Sequence, residues 1–82
     1  MKNSIKILNA LANSPYTVRS VEGLAKETEL NAGEVFRASM RLADNGLATM
    51  IRENGKEGAG ATYSFGITKQ GRFAADLLGE VA

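Results

Sequence analysis

Apolar residues recur with the period of an α-helix in four separate stretches of this sequence, and a strictly alternating stretch lies before the fourth. Residues 2–13 predict a first helix. Ser14 and Pro15 end it, because proline disfavours a helical residue before it and has no N–H to donate. The predicted inner stripe of this helix consists of Ile5, Ile7, Leu8, Leu11 and Ala12.

A second helix is predicted over residues 20–29, where Ser20 is a suitable N-cap and Leu30 and Asn31 break the apolar pattern. The segment before it, from Tyr16 to Val18, is too short to predict more than a β-bridge. The predicted inner stripe of the second helix consists of Val21, Leu24, Ala25 and Thr28.

A third helix is predicted over residues 32–45, between clear start and stop signals. Asn31 is a suitable N-cap, and Glu34, three positions later, completes a capping-box pair. Gly46 follows the last helical position and can adopt the positive φ that helix C-termini often require. Ser39 falls inside the apolar arc, so we expect it to pack against another helix and to donate its hydroxyl to a carbonyl one turn back.

Residues 48–67 predict a β-hairpin, because Tyr63, Phe65 and Ile67 alternate with small or polar neighbours and a glycine-rich turn precedes them. A fourth helix is predicted over residues 68–80, and its apolar stripe consists of Phe73, Ala74, Leu77, Leu78 and Val81. The order helix, helix, helix, hairpin, helix predicts a mainly α fold with a small hairpin (α+β), in a single domain spanning residues 1–82.

Composition narrows the function classes. The chain has 82 residues, of which 44% are hydrophobic, and it has no cysteine and no histidine. Disulfides, thiolate metal sites and the commonest catalytic base and metal ligand are therefore excluded, and we expect a non-enzyme without metal or cofactor. The amino terminus has no apolar run suited to a signal peptide or a membrane span, which predicts a cytoplasmic protein without a membrane partner. The glycine-rich turn does not match a nucleotide-binding P-loop.

Three stretches, residues 21–30 (VEGLAKETEL), 35–47 (VFRASMRLADNGL) and 63–72 (YSFGITKQGR), occur in an order and spacing that resemble a known superfamily. They are similar to the positioning helix, the recognition helix and the join between the second wing strand and the last helix of winged helix-turn-helix proteins. The nearest resemblance is to small MarR-, PadR- and ArsR-like regulators. The resemblance covers nearly the whole chain, and it implies a winged-helix fold that binds double-stranded DNA.

The third helix carries the chemistry that such a function needs. On a helical wheel Glu34, Arg37, Ala38, Arg41 and Asn45 share one arc. Arginine can bridge guanine O6 and N7 with two hydrogen bonds, and a small residue between two arginines lets a helix approach the base edges. We assign Asn31 and Glu34 to capping.

The resemblance also implies contacts from the hairpin to the DNA backbone, through charged side chains and glycine N–H groups. Residues near the second helix are further candidates for phosphate contacts. The full set of expected DNA-binding residues is Thr17, Arg19, Lys26, Arg37, Ala38, Arg41, Asn45, Arg52, Gly55, Lys56 and Gly58.

Charge leaves an alternative open. The net charge is +1, and residues 31–57 contain four basic and four acidic residues, so only a fold that separates the signs produces a basic face. The alternative function is a winged-helix module that docks a partner protein through a patch at Phe36 and Met40, although core packing is the default reading of that pair. A metal sensor is disfavoured because histidine and cysteine ligands are missing.

We also expect a homodimer through the terminal helices, since the last helix is apolar along Phe73, Leu77 and Val81.

Overall fold

The structure, a computed structural model, describes residues 2–53 and 62–81. The elements follow the predicted order, with one short strand added before the second helix. They are α1 (Lys2–Ala12), β1 (Arg19–Ser20), α2 (Val21–Thr28), α3 (Ala32–Asp44), β2 (Ala48–Glu53), β3 (Thr62–Ile67) and α4 (Lys69–Val81). The predicted α+β class is confirmed, and each predicted helix lies within two residues of its observed bounds.

The strands form one antiparallel sheet in the order β1-β3-β2. In β2 and β3, Ala48 pairs with Ile67, Met50 with Phe65, and Arg52 with Tyr63. The third strand, β1, pairs with the other edge of β3 and was expected only as a bridge slightly earlier in the chain. It connects the segment before α2 to the hairpin.

The core forms between α1, α2, α3 and the inner face of the sheet. Leu24 and Phe65 are fully buried, which confirms the predicted inner faces of α2 and of the second hairpin strand. Ile5 was expected on the inner stripe of α1 but is partly exposed, because that stripe is centred on later residues. The buried hydrophobic residues are Ile7, Leu8, Ala10, Leu11, Leu24, Val35, Ala38, Leu42, Ala48, Phe65 and Ala75.

Ser39 is fully buried on the apolar side of α3. Its hydroxyl oxygen has no hydrogen-bond partner among the described residues. The expectation of close packing is confirmed. The expected bond to a carbonyl one turn back is wrong, since the hydroxyl makes no hydrogen bond with the described residues. A buried hydroxyl that gives up its bonds to water without replacement costs about 1–3 kcal/mol.

The last helix, α4, packs through its small residues and turns its large apolar ones outward. A Cβ placed on Gly71 would overlap the carbonyl oxygen of Leu47 and would lie 2.7 Å from Cγ1 of Ile67. Ala75, one turn later, is buried, whereas Phe73 and Leu77 are 66% and 46% exposed. Of the predicted apolar stripe, Ala74 packs against the core, whereas Phe73 and Leu77 point away from it. We call Phe73 and Leu77 the α4 stripe.

None of the helices in residues 2–53 and 62–81 is long and apolar enough to cross a membrane.

Candidate nucleic-acid interface

The α2–α3 unit is fixed in place by local capping. The Ser20 hydroxyl accepts a hydrogen bond of 3.0 Å from the N–H of Gly23 at the start of α2. At the start of α3, the Asn31 side chain accepts from the N–H of Glu34, and the Glu34 carboxylate accepts from the N–H of Asn31, as predicted. These bonds satisfy donors that a helix start leaves without partners, so the first turn of α3 has a defined position.

The turn between the two helices contains a left-handed residue. Glu29 has φ 64°, a conformation that costs a non-glycine residue about 1 kcal/mol or more. This residue reverses the chain at the end of α2, after which Leu30 and Asn31 lead directly into α3. The left-handed conformation of Glu29 thus ends α2 two residues before the N-cap of α3.

The outward face of α3 carries two arginines. Arg37 and Arg41 are exposed and stand one turn apart, and neither makes an ion pair with a carboxylate in residues 2–53 or 62–81. Gly33, also exposed, lies one turn before Arg37, and a Cβ placed on it would lie 4.0 Å from Nη1 of Arg37. The Arg37 guanidinium is thus near the first turn of α3. Asp44, two turns after Arg37, is the exposed acid at the far end of this face.

Ala38 is not on the outward face. The helical wheel placed it between the two arginines, but it is only 4% exposed and belongs to the core. The expectation of a base-facing Ala38 is wrong because α1 packs against α3 on this side and covers it. The small residues that are exposed on α3 are Ala32 and Gly33, in its first turn.

A polar groove runs between the start of α1 and the outward face of α3. It is lined by Lys2, Asn3, Ser4, Glu34, Arg37, Ala38 and Arg41. The Asn3 amide donates to the second carboxylate oxygen of Glu34 at 3.5 Å, so that both oxygens of this acid have partners. Three cations border this groove. Lys2 was not among the expected DNA-binding residues, because helical periodicity does not show which helix the start of α1 crosses.

The side chains of Arg52 and Glu53 on β2 project from opposite faces of the sheet. Residues paired across an antiparallel ladder project from the same face, so Arg52 shares a face with Tyr63 and with the buried Phe65. Glu53 pairs with Thr62 and projects from the opposite face. The Phe36 ring of α3 packs against Tyr63, which shows that α3 covers the face that carries Arg52. Arg52 therefore lies on the α3 side of the sheet and Glu53 on the other.

Phe36 packs edge-on against two aromatic rings, with centroids 5.0 Å away for Tyr63 and 6.3 Å for Phe65. Phe36 and Met40 are both half-buried and pack against the core. Core packing, the default reading of this pair, is confirmed. Phe36 and Met40, where a docking patch was expected, expose less of their side chains than Phe73 and Leu77 of the α4 stripe.

Two other expected DNA contacts have local partners. The Arg19 guanidinium pairs with the Glu27 carboxylate at 3.1 Å, and its side chain is only 16% exposed. The Asn45 amide donates to the carbonyl of Arg41 at 2.8 Å and so closes the end of α3. Both side chains therefore have structural roles within the fold, and their contacts with DNA stay predictions.

The remaining expected DNA contacts are still predictions. Thr17 and Lys26 are exposed, on the segment before β1 and on α2. Gly55, Lys56 and Gly58 lie outside the described residues. In the part of the chain that the structure describes, no three acidic side chains come together in a way that could hold a metal ion.

No family model matches this sequence, and no curated protein matches it. The fold is similar to a solved structure from Methanosarcina mazei Go1 named as a possible transcriptional regulator. The match has a TM-score of 0.74, covers 98% of this chain and 74% of the other, and has 20% sequence identity. The architecture is winged-helix-like. At this identity the similarity shows a shared fold alone.

Proposed function

We propose that this chain is a double-stranded DNA-binding protein of the winged helix-turn-helix superfamily, that it regulates transcription, and that it is not an enzyme. In this proposal α3 enters the major groove with Arg37 facing the base edges. The β2–β3 hairpin lies along the sugar-phosphate backbone, where Arg52 contributes a charge. Lys56 and the N–H groups of Gly55 and Gly58 remain proposed backbone contacts of the hairpin.

One observation carries the proposal, namely the separation of charge around α3. Arg37 and Arg41 are exposed and make no ion pair with the described carboxylates, and Arg52 projects from the sheet on the same side as α3. Glu34 is engaged in capping, and Glu53 points to the opposite face of the sheet. Arg37 and Arg41 outnumber Asp44, the exposed acid on the same face of α3. This excess of arginine supports attraction to phosphates although the net charge of the chain is only +1.

A regulatory role is supported by the similar structure from Methanosarcina mazei Go1, which is named as a possible transcriptional regulator. The geometry of α3 supports direct reading of sequence, since arginine makes bidentate bonds to guanine in the major groove. Each such pair contributes about 1–3 kcal/mol of discrimination between bases.

The test is fluorescence anisotropy with random-sequence duplex DNA at about 50 and 200 mM salt, followed by selection of a preferred duplex. We expect micromolar binding at low salt that falls by orders of magnitude at the higher salt. Arg37→Ala should weaken binding to the selected duplex by about tenfold and reduce sequence preference. Arg72→Ala, which removes the same charge from an exposed position on α4, is the matched control. Wild-type protein that binds no duplex at low salt would remove the proposal.

A second candidate function, protein docking, is favoured by the exposure of Phe73 and Leu77. We propose that a second copy of this chain covers the α4 stripe. Lys69 and Asp76 are exposed on α4, and Phe73 lies about midway between them. Two antiparallel copies of α4 related by a twofold axis therefore bring Lys69 of each copy near Asp76 of the other, with Phe73 at the centre. A homodimer of this kind presents two α3 helices to DNA and is compatible with DNA binding.

A further inference from the structure

The groove between α1 and α3 contains an excess of positive charge that capping does not explain. Lys2, Arg37 and Arg41 border it, and Glu34 is its carboxylate. Both oxygens of Glu34 already accept hydrogen bonds, from the Asn31 N–H and from the Asn3 amide. The three cations of the groove make no ion pair within residues 2–53 and 62–81, which is the chemistry of an anion site.

The two arginines of α3 have different surroundings. The Arg37 guanidinium is close to Gly33, in the first turn of α3. Arg41 lies one turn further along and also borders a second groove, together with Ser4 and Ile5 of α1. Both arginines therefore border α1 in the first groove, but only Arg41 also borders the second groove, where α1 continues through Ile5.

The width of the DNA major groove limits which part of the DNA can lie next to Arg41. The major groove of B-DNA is about 12 Å wide, and a helix with its side chains is about 10–12 Å across. When α3 occupies the groove, there is no room for α1 beside it. The start of α1 must then lie over the rim, where the phosphates are.

We propose that Lys2 and Arg41 together bind one phosphate diester of the DNA backbone, a site that rests on the proposed function. Arg37 reads bases, and Arg41 fixes the position of α3 in the groove without contributing sequence preference. This differs from the helical wheel, which gave both arginines the same role. It also brings α1 into the DNA interface through Lys2, a residue outside the helix-turn-helix unit.

The test compares Lys2→Ala, Arg41→Ala and Arg37→Ala on the selected duplex and on a scrambled duplex, across a series of salt concentrations. A residue that contacts one phosphate reduces the slope of log affinity against log salt by about 1 and weakens all sequences alike. We expect Lys2→Ala and Arg41→Ala each to lose roughly three- to tenfold on both duplexes at low salt. Arg37→Ala should lose more on the selected duplex than on the scrambled one.

Lys6→Ala is the matched control for Lys2→Ala, because Lys6 is on the same helix but borders a different surface, with Asn9 and Glu27. The double variant Lys2→Ala/Arg41→Ala should lose less than the product of the two single losses if both side chains hold one phosphate. Circular dichroism of each variant separates loss of contact from loss of fold.

Three results would overturn the site. If Lys2→Ala and Arg41→Ala behave like Lys6→Ala while Arg37→Ala weakens binding, the phosphate site is wrong and DNA binding stands. If wild-type protein binds no duplex, the proposed function and this site fall together. If inorganic phosphate alone saturates the groove at submillimolar concentration, by chemical shifts of residues 2–5, the ligand is a free anion and not the DNA backbone.

Discussion

The hydroxyl of Thr68 donates a hydrogen bond of 2.7 Å to the carbonyl oxygen of Gly46. The same hydroxyl accepts a bond of 3.0 Å from the N–H of Gly71, in the first turn of α4. The Thr68 N–H also donates to the Leu47 carbonyl at 3.1 Å. Thr68 thus caps the start of α4 and also binds the chain just after α3. These bonds hold the start of α4 next to the end of α3.

Thr68→Ala should lower the free energy of unfolding by about 1–2 kcal/mol, because it removes an N-cap and leaves the Gly46 carbonyl without its partner. Thr68→Ser keeps the hydroxyl and should retain most of the stability. Urea unfolding followed by circular dichroism measures both. Equal losses in the two variants would show that the methyl group, and not the hydroxyl, stabilises this junction.

Gly71→Ala should lower the free energy of unfolding by about 3 kcal/mol, because the added methyl group overlaps the Leu47 carbonyl oxygen. Gly79 is the matched control on the same helix, since a Cβ there meets nothing within 4 Å. Gly79→Ala should raise stability by about 0.5–1 kcal/mol through helix propensity. Thermal unfolding of the two variants should therefore shift in opposite directions. A shift of the same sign in both would contradict the close approach of α4 to Leu47.

Ser39→Ala should raise the free energy of unfolding by about 1 kcal/mol, because it removes a buried hydroxyl that has no partner in the described residues. Ser4→Ala, on α1, controls for the general preference of helices for alanine. Chemical denaturation of both variants gives the comparison. If Ser39→Ala is less stable than wild type, the hydroxyl has a partner, for example a buried water.

Phe73→Glu should abolish self-association if the α4 stripe is the dimer surface, because the charge would be buried at the centre of the interface. Sedimentation equilibrium at high concentration should then show a species of 8.7 kDa for the variant and one of twice that mass for wild type. Tyr16→Glu is the matched control, since Tyr16 is as exposed as Phe73 but lies on the segment before β1. Wild-type protein that stays at 8.7 kDa would remove the homodimer.

Asp44→Asn should strengthen binding to every duplex about equally, because Asp44 is the exposed acid on the face of α3 that carries Arg37. Its place at the far end of α3 limits the expected gain to a few-fold. Anisotropy at low salt measures the change. Glu53→Gln makes the same change in charge on the face of the sheet opposite α3 and should leave affinity close to the wild-type value. Equal gains would show that only net charge matters.

Local signals in the sequence predicted the helix boundaries well. Asn31, Glu34 and Gly46 occupy the capping and terminating positions that their spacing indicated. Such signals work because each bond joins residues that are neighbours in the chain, so that their side-chain chemistry alone decides the geometry.

Relations between distant elements could not be predicted in the same way. Helical periodicity placed Ala38 on one arc with Arg37, but it carries no information on which part of that arc α1 covers. It also placed Phe73 on an apolar stripe, whereas the close approach at Gly71 turns a different side of α4 to the core. Lys2 was missed for the same reason. The candidate site depends on how helices cross, and only the folded arrangement supplies that.

The short strand β1 has a consequence for how the molecule folds and opens. Arg19 pairs with Phe65, which lies at the other end of the sequence, whereas β2 and β3 are close neighbours along the chain. Pairs far apart in sequence require a large loop to close and are slow to form. We expect this two-residue ladder to form last and to separate first. In hydrogen exchange, the backbone amides of β1 should then lose protection before those of β2, although both belong to one sheet.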